Sequence, residues 1–264
     1  MDFDRLEDIE DTGPDWSVSR LHTIMACGKK YHYKYVEHIE EPVTPPLAFG
    51  SAIHKTIEEI HRNNLDDFQR QWSDNWYEAQ VNVDWEHTSY RKKTYDDKGP
   101  KILEAYTTKY RHDHWLTLEK QFRFAPGHTL PILRGTFDKV QRILEEHPTA
   151  PREYIGRMAI IDYKTSKNPP EQLMVDVDPQ LTIYHRAAQE LYKEDVVLGL
   201  HHLPTDKIYW TTRNKYAMNE VAIMLLEGKS RVDNKKFERN IDWGCRYCPF
   251  KDKCFGELLS EPTD

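Results

Sequence analysis

Met158-Ala159-Ile160-Ile161-Asp162-Tyr163-Lys164 is the stretch of this 264-residue chain on which the reading of its fold turns. Four apolar residues followed by an acid, an aromatic and a lysine predict a buried strand that surfaces at its carboxyl end. Side chains alternate along a strand, so Asp162 and Lys164 share one face and Tyr163 takes the other. An acid-x-lysine triplet is a weak signal by itself, because Asp96-Asp97-Lys98, Glu227-Gly228-Lys229 and Asp233-Asn234-Lys235 repeat the spacing. Asp162 differs from these in following a buried-looking strand and in coming after Gly135-Thr136-Phe137-Asp138, where a second strand candidate carries Asp138. Two adjacent strands can bring both carboxylates to one divalent cation. Hard oxygen ligands suit Mg²⁺ or Mn²⁺, which keep several waters and bind substrate phosphates.

Around this centre the pattern predicts strands over 117–125, 130–143 and 154–164, then 196–203 and 207–212. Helices are expected from Ser17, a plausible N-cap, toward Cys27, and from Phe49 to Asn63 with Ile53, Ile57 and Ile60 as the apolar stripe beside His54. Asp178-Pro179 is a good N-cap and N1 pair for a helix to about Lys193, and another helix is expected near 216–229. Residues 64–115 read as a helical insertion with a loop near Asp96 to Pro100. Trp72, Trp76, Trp85 and Tyr90 there are expected mostly to form the core of that helical layer, with stacking of single-stranded DNA as the rival use. The class is α/β, read as one domain over 16–264 after a flexible acidic tail at 1–15.

Composition narrows the function classes. The chain is 38% hydrophobic, 31% charged and 12% aromatic, which argues against both global disorder and an integral membrane protein. Its apolar runs, such as Ala222 to Leu226, fall far below the roughly 20 residues needed to span a bilayer. No basic-then-apolar signal segment opens it, so a cytoplasmic location is expected. The net charge of −7 is concentrated at the start, where seven acids oppose only Arg5 in residues 1–15, leaving −1 for the remainder. Bases cluster at Lys29/Lys30/Lys34, at Arg91/Lys92/Lys93 and in 229–254, and such patches can track a phosphate backbone.

The four cysteines of a cytosolic chain are better read as metal ligands than as disulfides. Cys245, Cys248 and Cys254 form C-x2-C-x5-C within the segment 240–256, and Cys27 lies in the first helical region. Thiolates select Zn²⁺ or an iron–sulfur cluster, and the spacing does not choose between them. A zinc ribbon would more naturally supply a second C-x2-C pair, which is absent.

Four short motifs in order carry a family resemblance: Gly50-Ser51-Ala52-Ile53-His54, Gly135 to Asp138, Asp162 to Lys164, and Gln180-Leu181-Thr182-Ile183-Tyr184. They resemble the G-x-x-x-H, G-x-x-D, D-x-K and Q-x-x-x-Y motifs of the RecB-type nucleases of the PD-(D/E)XK superfamily, which include CRISPR-associated and phage-borne single-strand exonucleases. The resemblance implies a restriction-endonuclease-like central mixed sheet flanked by helices, and a metal-dependent DNA exonuclease acting on single strands. It implies that His54, Asp138, Asp162 and the backbone carbonyl of Tyr163 hold Mg²⁺ or Mn²⁺. Lys164 would place and activate the attacking water, and Gln180 and Tyr184 would contact DNA or the lysine. It further implies a [4Fe-4S] cluster on Cys27, Cys245, Cys248 and Cys254, stapling the N-terminal helix to the C-terminal tail. Many relatives have proline after the first cysteine; here it is Gly28, which is expected to loosen that turn. A non-catalytic DNA-binding recombination-accessory module that keeps the fold and the cluster is the rival reading.

Overall fold

The computed structural model describes residues 15–127 and 129–260. In chain order the elements are α1 (Val18–Ala26), α2 (Gly28–Tyr31), α3 (Pro45–Asn63), α4 (Gln69–Gln80), α5 (Lys92–Tyr110), β1 (Trp115–Phe124), β2 (Leu133–Arg142), β3 (Met158–Lys164), α6 (Gln172–Asp176), α7 (Pro179–Tyr192), β4 (Val196–His202), β5 (Lys207–Thr211), α8 (Lys215–Asp233) and α9 (Lys251–Leu259). They divide into two compact units. One comprises Val43–Phe122 and Gly135–Met218, the other the described parts of Met1–Pro42, Arg123–Arg134 and Asn219–Asp264.

The larger unit is built on a mixed five-stranded sheet of order β1-β2-β3-β4-β5. β3 pairs antiparallel with β2 and parallel with β4, and β5 returns antiparallel to β4. The parallel pair requires a crossover, which α6 and α7 supply. Helix α7 starts as the Asp178-Pro179 pair predicts, with the Asp178 carboxylate accepting the Leu181 N–H at 2.9 Å. Ala159, Ile161 and Tyr163 of β3 join Phe49, Ile53, Ile57 and Ile60 of α3 in one apolar core with α4 and α5. Asp162 and Lys164 project on the opposite face, toward α7. β3 begins later than the sequence suggests. Arg152–Tyr154 forms a short turn of helix, and Gly156 at φ +82° closes the chain onto Ile143 before pairing starts at Met158.

The loop expected near Asp96 to Pro100 is instead the interior of α5. A Cβ at Gly99 would lie 2.1 Å from Trp72 Cζ2, so the glycine permits α5 to close on α4. Burial of Ile102, Leu103, Tyr106 and Tyr110 on the same helix outweighs the interruption at Pro100. Trp72 and Trp76 stack with rings 5.7 Å apart and are both buried, so they are core, whereas Tyr90 is 45% exposed.

In the smaller unit Ser17 caps α1 by accepting the Arg20 N–H at 3.2 Å, and Leu21 and Ile24 are buried. Gly28 does not merely loosen a turn. Its missing Cβ would sit 2.7 Å from Phe237 Cα and 2.9 Å from the Glu238 nitrogen, so neither proline nor alanine fits beneath this crossing strand of backbone. The contact is closed by the Lys29 N–H donating to the Glu238 carbonyl at 3.1 Å. Of the acidic start, residues 1–14 lie outside the described residues. Asp15 accepts two hydrogen bonds from Arg123, at 2.7 and 2.9 Å.

Candidate active site

Three elements converge at the carboxyl end of β3. The His54 ring on α3 places Nε2 3.1 Å from the Tyr163 carbonyl oxygen and Nδ1 3.6 Å from Asp138 Oδ1. Asp138 on β2 accepts the Tyr163 N–H at 2.7 Å through Oδ2. Across the strand, Lys164 Nζ lies 2.8 Å from Asp162 Oδ2 and donates to Gln180 Oε1 at 3.0 Å. The same Gln180 amide donates through Nε2 to Asp162 Oδ1 at 3.0 Å and to the Tyr184 hydroxyl at 2.8 Å. The i, i+4 spacing on α7 thus makes Gln180 a clamp holding carboxylate, ammonium and phenol together. Edge-on contacts from Phe122 and Phe137 fix the Tyr184 ring. Behind the strand, the Tyr163 hydroxyl is 2.6 Å from that of Tyr106, itself 2.6 Å from His61 Nε2, and these bonds anchor the peptide that faces His54 and Asp138.

Proton affinities follow from burial and crowding. Burial raises the Asp162 carboxyl to about 6, with Lys164 opposing and the neighbouring Asp138 reinforcing the rise. Asp138 itself is held below the usual carboxylate range, because the His54 imidazole and the Tyr163 N–H outweigh its burial. Burial would lower His54, yet the Asp138 carboxylate lifts it to about 9. Burial would also lower Lys164, but Asp162 and Asp138 raise it, so it carries its charge at neutral pH.

One member of this site carries no motif. Glu119 lies on β1, and its carboxylate, an Asp138 oxygen and a His54 ring nitrogen all fall within 4.8 Å of one another. It is the group of three or more metal-capable ligand atoms at that spacing found among the described residues, and Asp162 is not in it because its oxygens face Lys164 and Gln180. An imidazole with two carboxylates suits a hard divalent cation. Nothing in Leu118-Glu119-Lys120 distinguishes the residue in sequence, since its direction comes from a left-handed backbone, φ +47°, inside the strand. A groove of about 1520 Å³ opens beside the site, lined by His54, Glu119 and Lys164 together with Tyr90, Arg91, Tyr95, Lys98 and Lys167.

Residues 15–255 match the family described as the PD-(D/E)XK nuclease superfamily. The chain belongs to that superfamily. No curated protein matches it. Among solved structures it resembles a protein described as a "putative exonuclease" from Eubacterium rectale, with a TM-score of 0.53 and 14% identity, over 100% of this chain and 96% of that one. Protein SSO0001 aligns over 92% of this chain and 94% of its own at 13% identity, with a TM-score of 0.34, too low to support any argument. The mixed sheet flanked by helices is thus a PD-(D/E)XK fold, and His54, Asp138, Asp162, Lys164 and Gln180 meet within it.

This superfamily member also gathers its cysteines. Cys27, Cys245, Cys248 and Cys254 are all free, half-buried, and line one small cavity with Tyr33, Phe250 and Leu258. They are not a tight ligand group, because no three of their sulfurs fall within 4.8 Å of one another. Burial raises the Cys248 thiol. Glu257 braces the surroundings, accepting from Tyr33 at 2.8 Å and pairing with Lys29, Lys253 and Arg239 at 2.9, 3.0 and 3.1 Å. Among the described residues no helix is long and apolar enough to cross a membrane.

Proposed function

We propose that this chain is a divalent-metal-dependent DNA exonuclease that hydrolyses phosphodiester bonds of single strands in repair, recombination or phage DNA metabolism. The observation carrying this reading is the convergence of His54, Asp138, Asp162, Lys164 and Gln180 at one strand end beside a groove that also presents cations and aromatic rings. A bound Mg²⁺ or Mn²⁺ would supply Lewis-acid stabilisation of the phosphoryl oxygens and a more acidic water. His54, Asp138, Asp162 and the Tyr163 carbonyl would hold it.

Lys164 has the part of a fixed cation. Its raised proton affinity keeps it from accepting a proton at neutral pH, so it orients the water and a non-bridging oxygen and balances charge as that charge grows. Gln180 sets its direction and also donates to Asp162, whose carboxyl, raised by burial to about 6 against the pull of Lys164, is ionised above that pH. In the groove, half-exposed Tyr90 offers a stacking face, and Arg91, Lys98 and Lys167 can follow a backbone of phosphates. A single strand exposes both bases and phosphates to such a surface, whereas a duplex hides its base faces.

For the cysteine site we propose a [4Fe-4S] cluster. All four thiols are free and line one cavity, and one early cysteine followed by a C-terminal trio is the arrangement of the iron–sulfur relatives that the motifs resemble. The setting consistent with free thiols is the cytosol of a bacterium or phage-infected cell.

The test is digestion of end-labelled single-stranded and duplex DNA with Mg²⁺ or Mn²⁺. Progressive loss from one end of the single strand is expected, abolished by Lys164→Ala and by Asp162→Ala. Asp97→Ala and Asp233→Ala, in triplets that only mimic the motif, should cleave normally. DNA binding without cleavage by the wild type would favour the accessory-module reading, and activity surviving in Lys164→Ala would overturn the assignment.

A further inference from the structure

We propose that Glu119 of β1 is a further direct ligand of the divalent cation, joining His54 of α3 and Asp138 of β2 beside the β3 donors. The inference deepens the nuclease reading and rests on it. The three side chains are the ones whose ligand atoms already lie within 4.8 Å of one another, whereas cis and trans donors of an octahedral ion at about 2.1 Å are roughly 3 and 4.2 Å apart.

Two further observations point the same way. Among the described residues the Glu119 carboxylate has no hydrogen-bond or ion-pair partner, although it is only partly exposed. Its backbone is left-handed at φ +47° in mid-strand, a conformation costing a non-glycine residue about 1–2 kcal/mol, and the inside-outside alternation of β1 breaks there. Without that twist Glu119 would follow the pleat of its neighbours.

Mn²⁺ binding to the full-length, DNA-free protein tests this by calorimetry and by loss of the free-ion electron paramagnetic resonance signal. Glu119→Gln is expected to weaken Mn²⁺ by about 10- to 100-fold, as loss of a charged ligand does. Glu58→Gln removes a nearby charge without removing a proposed ligand, and should change affinity by no more than about threefold. Glu119→Asn suits the left-handed backbone and covers the case in which the glutamine variant misfolds, as judged by circular dichroism. Affinity of a folded Glu119 variant within threefold of wild type, or equal to that of Glu58→Gln, overturns the role of Glu119. If Asp138→Asn still weakens Mn²⁺ strongly in that event, the metal-site reading stands and only this inference falls. If wild type does not bind Mn²⁺, both fall.

Discussion

Replacing Asp162 by asparagine should make the metal-free protein more stable at pH 8 while ending its activity. Asp162 is 2% exposed, and burial with the neighbouring Asp138 holds its carboxyl at about 6 despite the Lys164 ammonium. An unfolded aspartate titrates at 3.8. Because the folded value is the higher one, the folded state binds the extra proton between the two values, and stability falls as pH rises through that window. At about 1.4 kcal/mol for each tenfold change in proton affinity, the rise from 3.8 to about 6 corresponds to about 3 kcal/mol lost above pH 6. Asparagine resembles the neutral acid and avoids this cost. Its amide is not ideally matched to both Lys164 and Gln180, so a net gain of about 1–3 kcal/mol is expected, or roughly 2–4 °C in melting temperature per kcal/mol. Urea unfolding in EDTA at pH 4, 6 and 8 reads the difference, which should be near zero at pH 4 and full at pH 8. Added Mn²⁺ should stabilise wild type more than the variant, reducing or reversing the order. A variant less stable than wild type at pH 8 without metal, or a difference independent of pH, would refute the account of this carboxylate as strained for its task.

Gly99→Ala sets helix propensity, a gain of about 1 kcal/mol, against a Cβ 2.1 Å from an indole held by Trp76 and Phe49. Overpacking of about 1–3 kcal/mol or more should win, and a raised melting temperature would contradict the packing described for α4 and α5. Burial, with Lys139 nearby, lowers His61 to about 3, so the unfolded state gains a proton first and stability should fall with pH from about 6.5 toward 3, by up to about 1.4 kcal/mol per pH unit. His61→Gln should lose that part of the slope, and an unchanged slope would show that His61 is not buried neutral. Cys248→Ala should yield colourless, poorly soluble protein after anaerobic purification, because loss of a cluster ligand removes a cross-link worth on the order of a few kcal/mol; iron content and absorption equal to wild type would exclude Cys248 as a ligand.

Much of the fold is legible without coordinates because its signals are local. The apolar run ending in Asp162-Tyr163-Lys164 announces a buried strand and its two faces, and Asp178-Pro179 announces the start of α7 within the reach of one helical turn. The four ordered motifs name the side chains that then meet at the carboxyl end of β3. The loop at Asp96–Pro100 is misread for the same local reason, since Gly99-Pro100 signals a break only until the packing of Trp72 against α5 is known.

The central strand, its polar exit, the caps of α1 and α7 and the motif residues are all readable from neighbours a few positions away. What depends on chain segments far apart emerges only on folding. Folding brought His54 to the carbonyl of a residue 109 positions later, turned Glu119 inward through a left-handed backbone, and placed Cys27 in a cavity with three cysteines from the other end of the chain. It also required glycine at position 28, where another backbone segment crosses within 3 Å of an absent Cβ. Periodicity records which face of an element is buried; only close packing determines what that face meets.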